Sequence, residues 1–154
     1  MNIEEVKQFI RNTSQETNIY LGADSERINV DGVWYADYTL AVVIHINGNN
    51  GCKVFGDVIR ERDYDQRVDK PSMRLMGEVY KVADLFQELA DAIENRYVEV
   101  HLDINPKKDC GSSIVVQQAV GYIKGTCNLN PYIKPRAFAA TYAADRMKHI
   151  LETQ

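Results

Sequence analysis

Residues 33–46 read VWYADYTLAVVIHI, a long run rich in β-branched and aromatic residues, and they are followed by the segment NGNNG. Such residues favour strands, whereas Asn and Gly tolerate the positive φ angles that close a hairpin. We therefore predict a strand over residues 33–46 and a returning strand over residues 52–59. Upstream, residues 18–25 (NIYLGADS) alternate in the direction they face, which predicts a first strand that ends at Asp24.

The second half of the chain alternates helices with strands. Residues 72–93 carry apolar side chains at intervals of three and four, the pattern of a helix lying on a sheet. Residues 97–105 (YVEVHLDIN) alternate strictly in polarity and predict a fourth strand, with Asp103 near its end. Further helices are predicted at residues 3–11, 113–124 and 136–151, and a short fifth strand at residues 132–134.

This order predicts one α/β domain over residues 1–154, built on a mixed five-stranded sheet. Three antiparallel strands come first, α-β-α-β-α follows, and an extra helix precedes them. The 154 residues match the size of one domain, and 45% hydrophobic with 26% charged residues is typical of soluble globular proteins. No apolar run approaches the roughly 18 residues of a membrane span, and the N-terminus lacks the apolar core of a signal peptide. We expect a cytoplasmic protein without a membrane partner.

The charge balance limits how the protein can bind a polyanion. Eighteen Lys and Arg stand against 22 Asp and Glu, which gives a net charge of −4. Attraction of nucleic acid must therefore come from local cations or from bound metal ions. The sequence contains no P-loop, no G-x-G-x-x-G and no G-x-S-x-G motif, so Walker-type nucleotide hydrolysis, dinucleotide binding and acyl transfer lack support.

Four carboxylates occupy positions where a site could form. Asp24 and Asp103 end two predicted strands, at the sheet edge where ligands bind in α/β folds, while Glu78 lies in a mostly apolar row of its helix. Asp145 lies in the last predicted helix. Each acid alone has an ordinary explanation, as a turn residue, a snorkelling flank or a solvated surface group. If the first and fourth strands are neighbours, however, the acids converge and repel one another, and Mg²⁺ or Mn²⁺ would compensate their charge.

Four segments of the chain resemble a known family. They are IYLGADSE (19–26), SMRLMGEVYKVADLFQELADAI (72–93), VHLDINPKKDCGSS (100–113) and YIKPRAFAATYAADR (132–146). Together they resemble the YkuK-type family of ribonuclease H-like proteins. The resemblance implies the ribonuclease H-like fold and a nuclease that uses two Mg²⁺ or Mn²⁺ ions. It places metal ligands and catalytic groups at Asp24, Glu78, Asp103 and Asp145. One departure is the charged KKD insertion of residues 107–109, where a shorter Gly turn is expected.

Cations near the acids predict contact with nucleic acid, whether RNA, DNA or a hybrid. Lys107 and Lys108 follow Asp103, Lys134 and Arg136 flank a proline, and Ser112 is a predicted helix N-cap that offers backbone donors to a phosphate. A second, weaker candidate patch consists of Arg60, Arg62, Arg67 and Arg74. The alternative to a nuclease is a non-catalytic ribonuclease H-like module that binds nucleic acid or a protein partner.

Overall fold

The structure, a computed structural model, describes residues 1–48, 50–64, 72–104 and 113–133. Its elements are α1 (Ile3–Arg11), β1 (Asn18–Val30), β2 (Val33–His45), a 3₁₀ turn (Ile46–Gly48), β3 (Cys52–Arg62), α2 (Ser72–Ile93), β4 (Tyr97–Leu102) and α3 (Ser113–Cys127). The predicted order of elements holds from α1 to α3. The predicted last helix, residues 136–151, lies outside the described residues.

The four strands form one mixed sheet in the order β3-β2-β1-β4. β2 is antiparallel to both of its neighbours, and β4 is parallel to β1. Alternate residues of β1, namely Ile19, Leu21 and Ala23, are fully buried in the core against α2. α1 and α3 both pack on α2, which makes α2 the helix around which the core is organised.

The sheet has four strands within the described residues, not the five that the sequence predicts. The segment expected to form the fifth strand adds a single parallel bridge, at Tyr132. The Tyr132 N–H donates to the Val100 carbonyl, and the Leu102 N–H donates to the Tyr132 carbonyl, both at 2.8 Å. The residues before Tyr132 read NLNP and favour a turn, so pairing begins only at Tyr132, and Lys134 lies outside the described residues.

The hairpin between β1 and β2 is longer than the sequence pattern indicates. β1 continues to Val30, beyond the expected end at residue 25, and the chain reverses at Asp31 and Gly32. These two residues have φ angles of 52° and 84°, the left-handed conformations that a two-residue hairpin turn of this kind requires. The far half of this hairpin therefore extends past the end of β4, which pairs only with residues 18–23.

β3 also continues past its expected end at residue 59, to Arg62. Arg60 lies opposite Asp37 of β2, and its Nε and Nη2 atoms donate to the two carboxylate oxygens at 2.6 and 2.8 Å. A cross-strand ion pair with two hydrogen bonds satisfies side chains that would otherwise keep a strand from forming here. Among the helices in the described part of the chain, none is both long enough and apolar enough to cross a membrane.

Candidate functional site

The parallel pairing of β1 with β4 places two acids side by side. The register runs from Asn18 opposite Tyr97 to Ala23 opposite Leu102, so Asp24 and Asp103 are the next residues on adjacent strands. Asp103 directly follows the carboxyl end of β4, whereas Asp24 lies within β1, at the point where its pairing with β4 stops. In α/β proteins, ligands bind beyond the carboxyl ends of parallel strands. The condition on which the convergence of the acids depended, that the first and fourth strands are neighbours, is therefore met.

The third acid, Glu78, reaches the same place from α2. Its side chain is 3% exposed, which makes the interpretation as a snorkelling flank residue wrong. The Ser25 hydroxyl donates to Glu78 Oε1, while the Ser25 backbone N–H donates to Asp24 Oδ1 at 2.8 Å. Ser25 thus bridges the carboxylate of the helix and the carboxylate of the strand.

The pKa of Glu78 is shifted by its burial and by the charges of its neighbours. Burial raises the pKa of Glu78 well above its ordinary value, and the charges of Asp24 and Asp103 raise it further. The hydrogen bond from Ser25 and the positive charge of Arg74 act in the opposite direction on this pKa. The structure therefore brings Asp24, Glu78 and Asp103 within electrostatic reach of one another, and we call these three residues the acidic site.

The acidic site has the donor chemistry that Mg²⁺ and Mn²⁺ prefer, because all of its side-chain donors are carboxylate oxygens. The Oδ1 atom of Asp103 is buried, and a buried carboxylate such as Glu78 is costly unless a cation compensates it. Within the described ranges, no three His, Cys, Asp or Glu side chains are close enough together to hold a metal ion. The donor types thus fit a hard divalent cation, although the described acids do not by themselves form a closed ligand set.

The remaining site residues predicted from the sequence fall outside the described residues. They are the fourth acid and the substrate-binding group, namely Asp145, Lys107, Lys108, Ser112, Lys134 and Arg136. Their roles stay predictions.

Two residues of the site were not singled out from the sequence as partners of the acids. The Nε atom of Arg74 donates to the Ser25 hydroxyl at 3.2 Å, and its Nη1 atom lies 3.9 Å from the buried carboxylate of Asp63. Arg74 precedes Glu78 by one helical turn, and that i, i+4 spacing is the signal that could have linked the two. Ser25 gives no such signal, because its contact with Glu78 depends on how α2 packs on the sheet.

His101, on the same strand as Asp103, has a structural role. It is buried, and its ring contacts the rings of Tyr20 and Tyr132. Burial lowers its pKa, and its Nε2 atom lies 3.4 Å from a carboxylate oxygen of Glu99. These contacts are those of a structural histidine.

A family described as Ribonuclease H-like matches residues 2–149, which includes all three residues of the acidic site. A search of curated proteins finds no match.

Proposed function

This chain belongs to the ribonuclease H-like family, and on that premise we propose that it is a metal-dependent nuclease that hydrolyses phosphodiester bonds of nucleic acid. The observation that carries the proposal is that Asp24, Glu78 and Asp103 lie within electrostatic reach of one another, where burial and then the charges of both aspartates raise the pKa of Glu78. Buried acids whose pKa values are shifted by burial and by neighbouring like charges are typical of functional sites. Membership in the YkuK-type group is part of the same proposal.

The proposed metal ligands are Asp24, Glu78 and Asp103, completed by Asp145, for two Mg²⁺ or Mn²⁺ ions. When bound, such ions neutralise charge on the phosphate and lower the pKa of a water molecule. The chain's own contribution is orientation: Arg74 holds the Ser25 hydroxyl, and Ser25 in turn holds one oxygen of Glu78. Both residues favour the ionised carboxylate, the form that binds a cation.

Substrate phosphates would be held by cations beside the acids. We propose Lys107, Lys108, Lys134 and Arg136 for this role, with backbone N–H groups at Ser112. Point contacts of this type position a nucleic acid without reading its sequence.

The test is cleavage of labelled RNA, DNA and hybrid substrates with Mg²⁺ or Mn²⁺. We expect cleavage by the wild type and its loss, by about two orders of magnitude or more, in Asp24→Asn and Asp103→Asn. Asp31→Asn is the matched control, because Asp31 lies at the distant hairpin turn with a positive φ that Asn adopts readily. Circular dichroism checks that each variant stays folded.

Metal binding gives a second readout that does not depend on turnover. A cation that binds only the folded state raises Tm, by an amount set by its concentration relative to Kd. Mn²⁺ should therefore raise the Tm of the wild type and of Asp31→Asn but not that of Asp24→Asn. A wild type that binds nucleic acid yet neither cleaves it nor gains stability from Mn²⁺ would instead be the non-catalytic module.

A further inference from the structure

A groove of about 380 Å³ opens beside the acidic site, between the end of β3 and the first turns of α2. The residues that carry the argument line it: Arg62, Tyr64, Met73, Arg74, Gly77 and Tyr80. We call it the β3–α2 groove. It adjoins the acidic site directly, because Arg74 contacts Ser25 and Gly77 immediately precedes Glu78.

The groove collects exposed apolar and aromatic side chains. Tyr64, Met73 and Tyr80 are 66%, 60% and 47% exposed, and they are half of the large hydrophobic side chains exposed in the described residues. The ring of Tyr80 packs against the ring of Tyr122, with ring centroids 5.0 Å apart in an edge-to-face arrangement. Exposed tyrosine faces of this kind can accept a stacked base, since every base has a π-face.

The charges in the groove favour an anion. The guanidinium of Arg62 lies 5.6 Å from the ring centroid of Tyr64, and within the part of the chain that the structure describes it forms no ion pair. Lys81 forms an ion pair with Glu61, with 2.8 Å between Lys81 Nζ and Glu61 Oε1, so its charge is neutralised. The buried carboxylate of Asp63 faces two cations, Arg27 as well as Arg74. The charge available to a ligand is therefore positive, next to exposed aromatic faces.

We propose that the β3–α2 groove binds single-stranded nucleic acid, with bases stacked on Tyr64 and Tyr80 and a backbone phosphate held by Arg62. The inference rests on the proposed nuclease function and names the substrate class of that site. A single strand fits better than a duplex, because bases already stacked and paired in a helix offer no face to an aromatic side chain. The strand would lead from the groove to the acidic site across Arg74.

The experiment is fluorescence anisotropy with a labelled 12-nucleotide oligothymidylate, in EDTA so that cleavage cannot interfere. Tyr64→Ala and Tyr80→Ala should each weaken binding by about fivefold or more, the effect of losing one stacked base. A plot of the logarithm of the binding constant against the logarithm of the salt concentration has a negative slope. Arg62→Gln should make this slope less negative by about 0.7, the effect of one phosphate contact with a single strand. A blunt duplex of the same length should bind more weakly and respond less to the tyrosine variants.

Tyr97→Ala and Arg11→Gln are matched controls and should bind like the wild type. Tyr97 is 51% exposed at the start of β4, and Arg11 lies on α1, so neither residue lines the groove. The inference is overturned if the wild type does not bind single strands, if the tyrosine variants bind unchanged, or if duplex binds as tightly with the same losses. Binding of an acidic peptide in place of the oligonucleotide would overturn it too.

The two proposals can fail separately. Binding that depends on Tyr64 and Tyr80 without any cleavage supports the groove and contradicts the nuclease. Cleavage that requires Asp24 but is unaffected in Tyr64→Ala and Tyr80→Ala supports the nuclease and contradicts the groove.

Discussion

Burial of Glu78 with two other acids nearby lowers the stability of the folded protein by an amount that depends on pH. A pKa raised by folding means that the folded state binds the proton more tightly than the unfolded state does. The resulting loss of folding stability is absent when the pH is below 4.5, the ordinary pKa of a glutamate, and it develops as the pH rises above that pKa. In the absence of metal, Asp24 and Asp103 increase this loss, whereas Arg74 and Ser25 reduce it.

Glu78→Gln should therefore stabilise the metal-free protein at pH 8, by roughly 1 kcal/mol or more, and bring no gain at pH 4. Urea denaturation at the two pH values measures the difference. Glu88→Gln, at an exposed position of the same helix, is the control and should change little at either pH. A Gln variant that is less stable than the wild type at pH 8 would contradict the expected sign.

Ser25 should control the pH at which Glu78 becomes ionised. Its hydroxyl lowers the pKa of Glu78, so Ser25→Ala should raise that pKa further and move the onset of Mn²⁺ binding to higher pH. The rise of Tm with Mn²⁺, followed across pH, measures this onset. Ser25→Thr retains the hydroxyl and should resemble the wild type; an unshifted onset in Ser25→Ala would contradict the role.

The site was predictable from the sequence as far as local patterns reach. Strand alternation predicted strand ends at Asp24 and Asp103, which is right for Asp103 alone, because β1 continues to Val30. Helical spacing put Glu78 on a mostly apolar row, and Glu78 is buried. The bridging by Ser25 was not predictable, because it depends on the position of α2 over β1. Such a contact has no period in the sequence and emerges only from tertiary packing.

At the scale of elements, α2 approaches the sheet closely at Gly77. A Cβ atom added there would lie 2.8 Å from Cζ of Tyr38, a ring that is itself buried between α2 and β2. Gly77→Ala should thus destabilise the protein by about 1–3 kcal/mol, more than offsetting the better helix propensity of Ala. Thermal or urea unfolding of the variant measures the change.

Gly121 of α3 supplies the matched comparison. It is also helical, but an added Cβ there meets nothing within 4 Å. Gly121→Ala should stabilise by up to about 1 kcal/mol, since only the backbone entropy of the helix changes. Equal effects of the two substitutions would show that α2 is not held close to the sheet at Gly77.

Element boundaries were predicted less well than element types, for reasons visible in the strands. The end of β1 reads ERINV and the end of β3 reads RER, and charged residues in these segments interrupted the strand pattern. The ion pair of Arg60 with Asp37 is made across the sheet, so a reading of β3 alone could not find it. The turn at Asp31 and Gly32 differs from this ion pair, because an Asp-Gly dipeptide is typical of hairpin turns and is visible in the sequence.

At the scale of the whole molecule, the strand order follows from connectivity. Two short turns make β1, β2 and β3 a meander, and the helix between β3 and β4 allows β4 to pair in parallel with β1. That much was predictable. The reduction of the fifth strand to a single bridge at Tyr132, within the described residues, was not, because such a short segment pairs only as far as its neighbours permit.

The parallel pairing of β1 with β4 also has a consequence for the folding pathway. This pairing joins partners about 80 residues apart, whereas the turn between β1 and β2 spans two residues. The entropy cost of closing the loop is therefore far larger for the β1–β4 pairing.

Val42 of β2 and Val100 of β4 are both fully buried. Val42→Ala should slow folding, while Val100→Ala should mainly speed unfolding, as stopped-flow chevrons would measure. Comparable slowing of folding by both would contradict late docking of β4. If β4 docks late, Asp24 and Asp103 become neighbours only near the end of folding, and a partly folded chain has no acidic site.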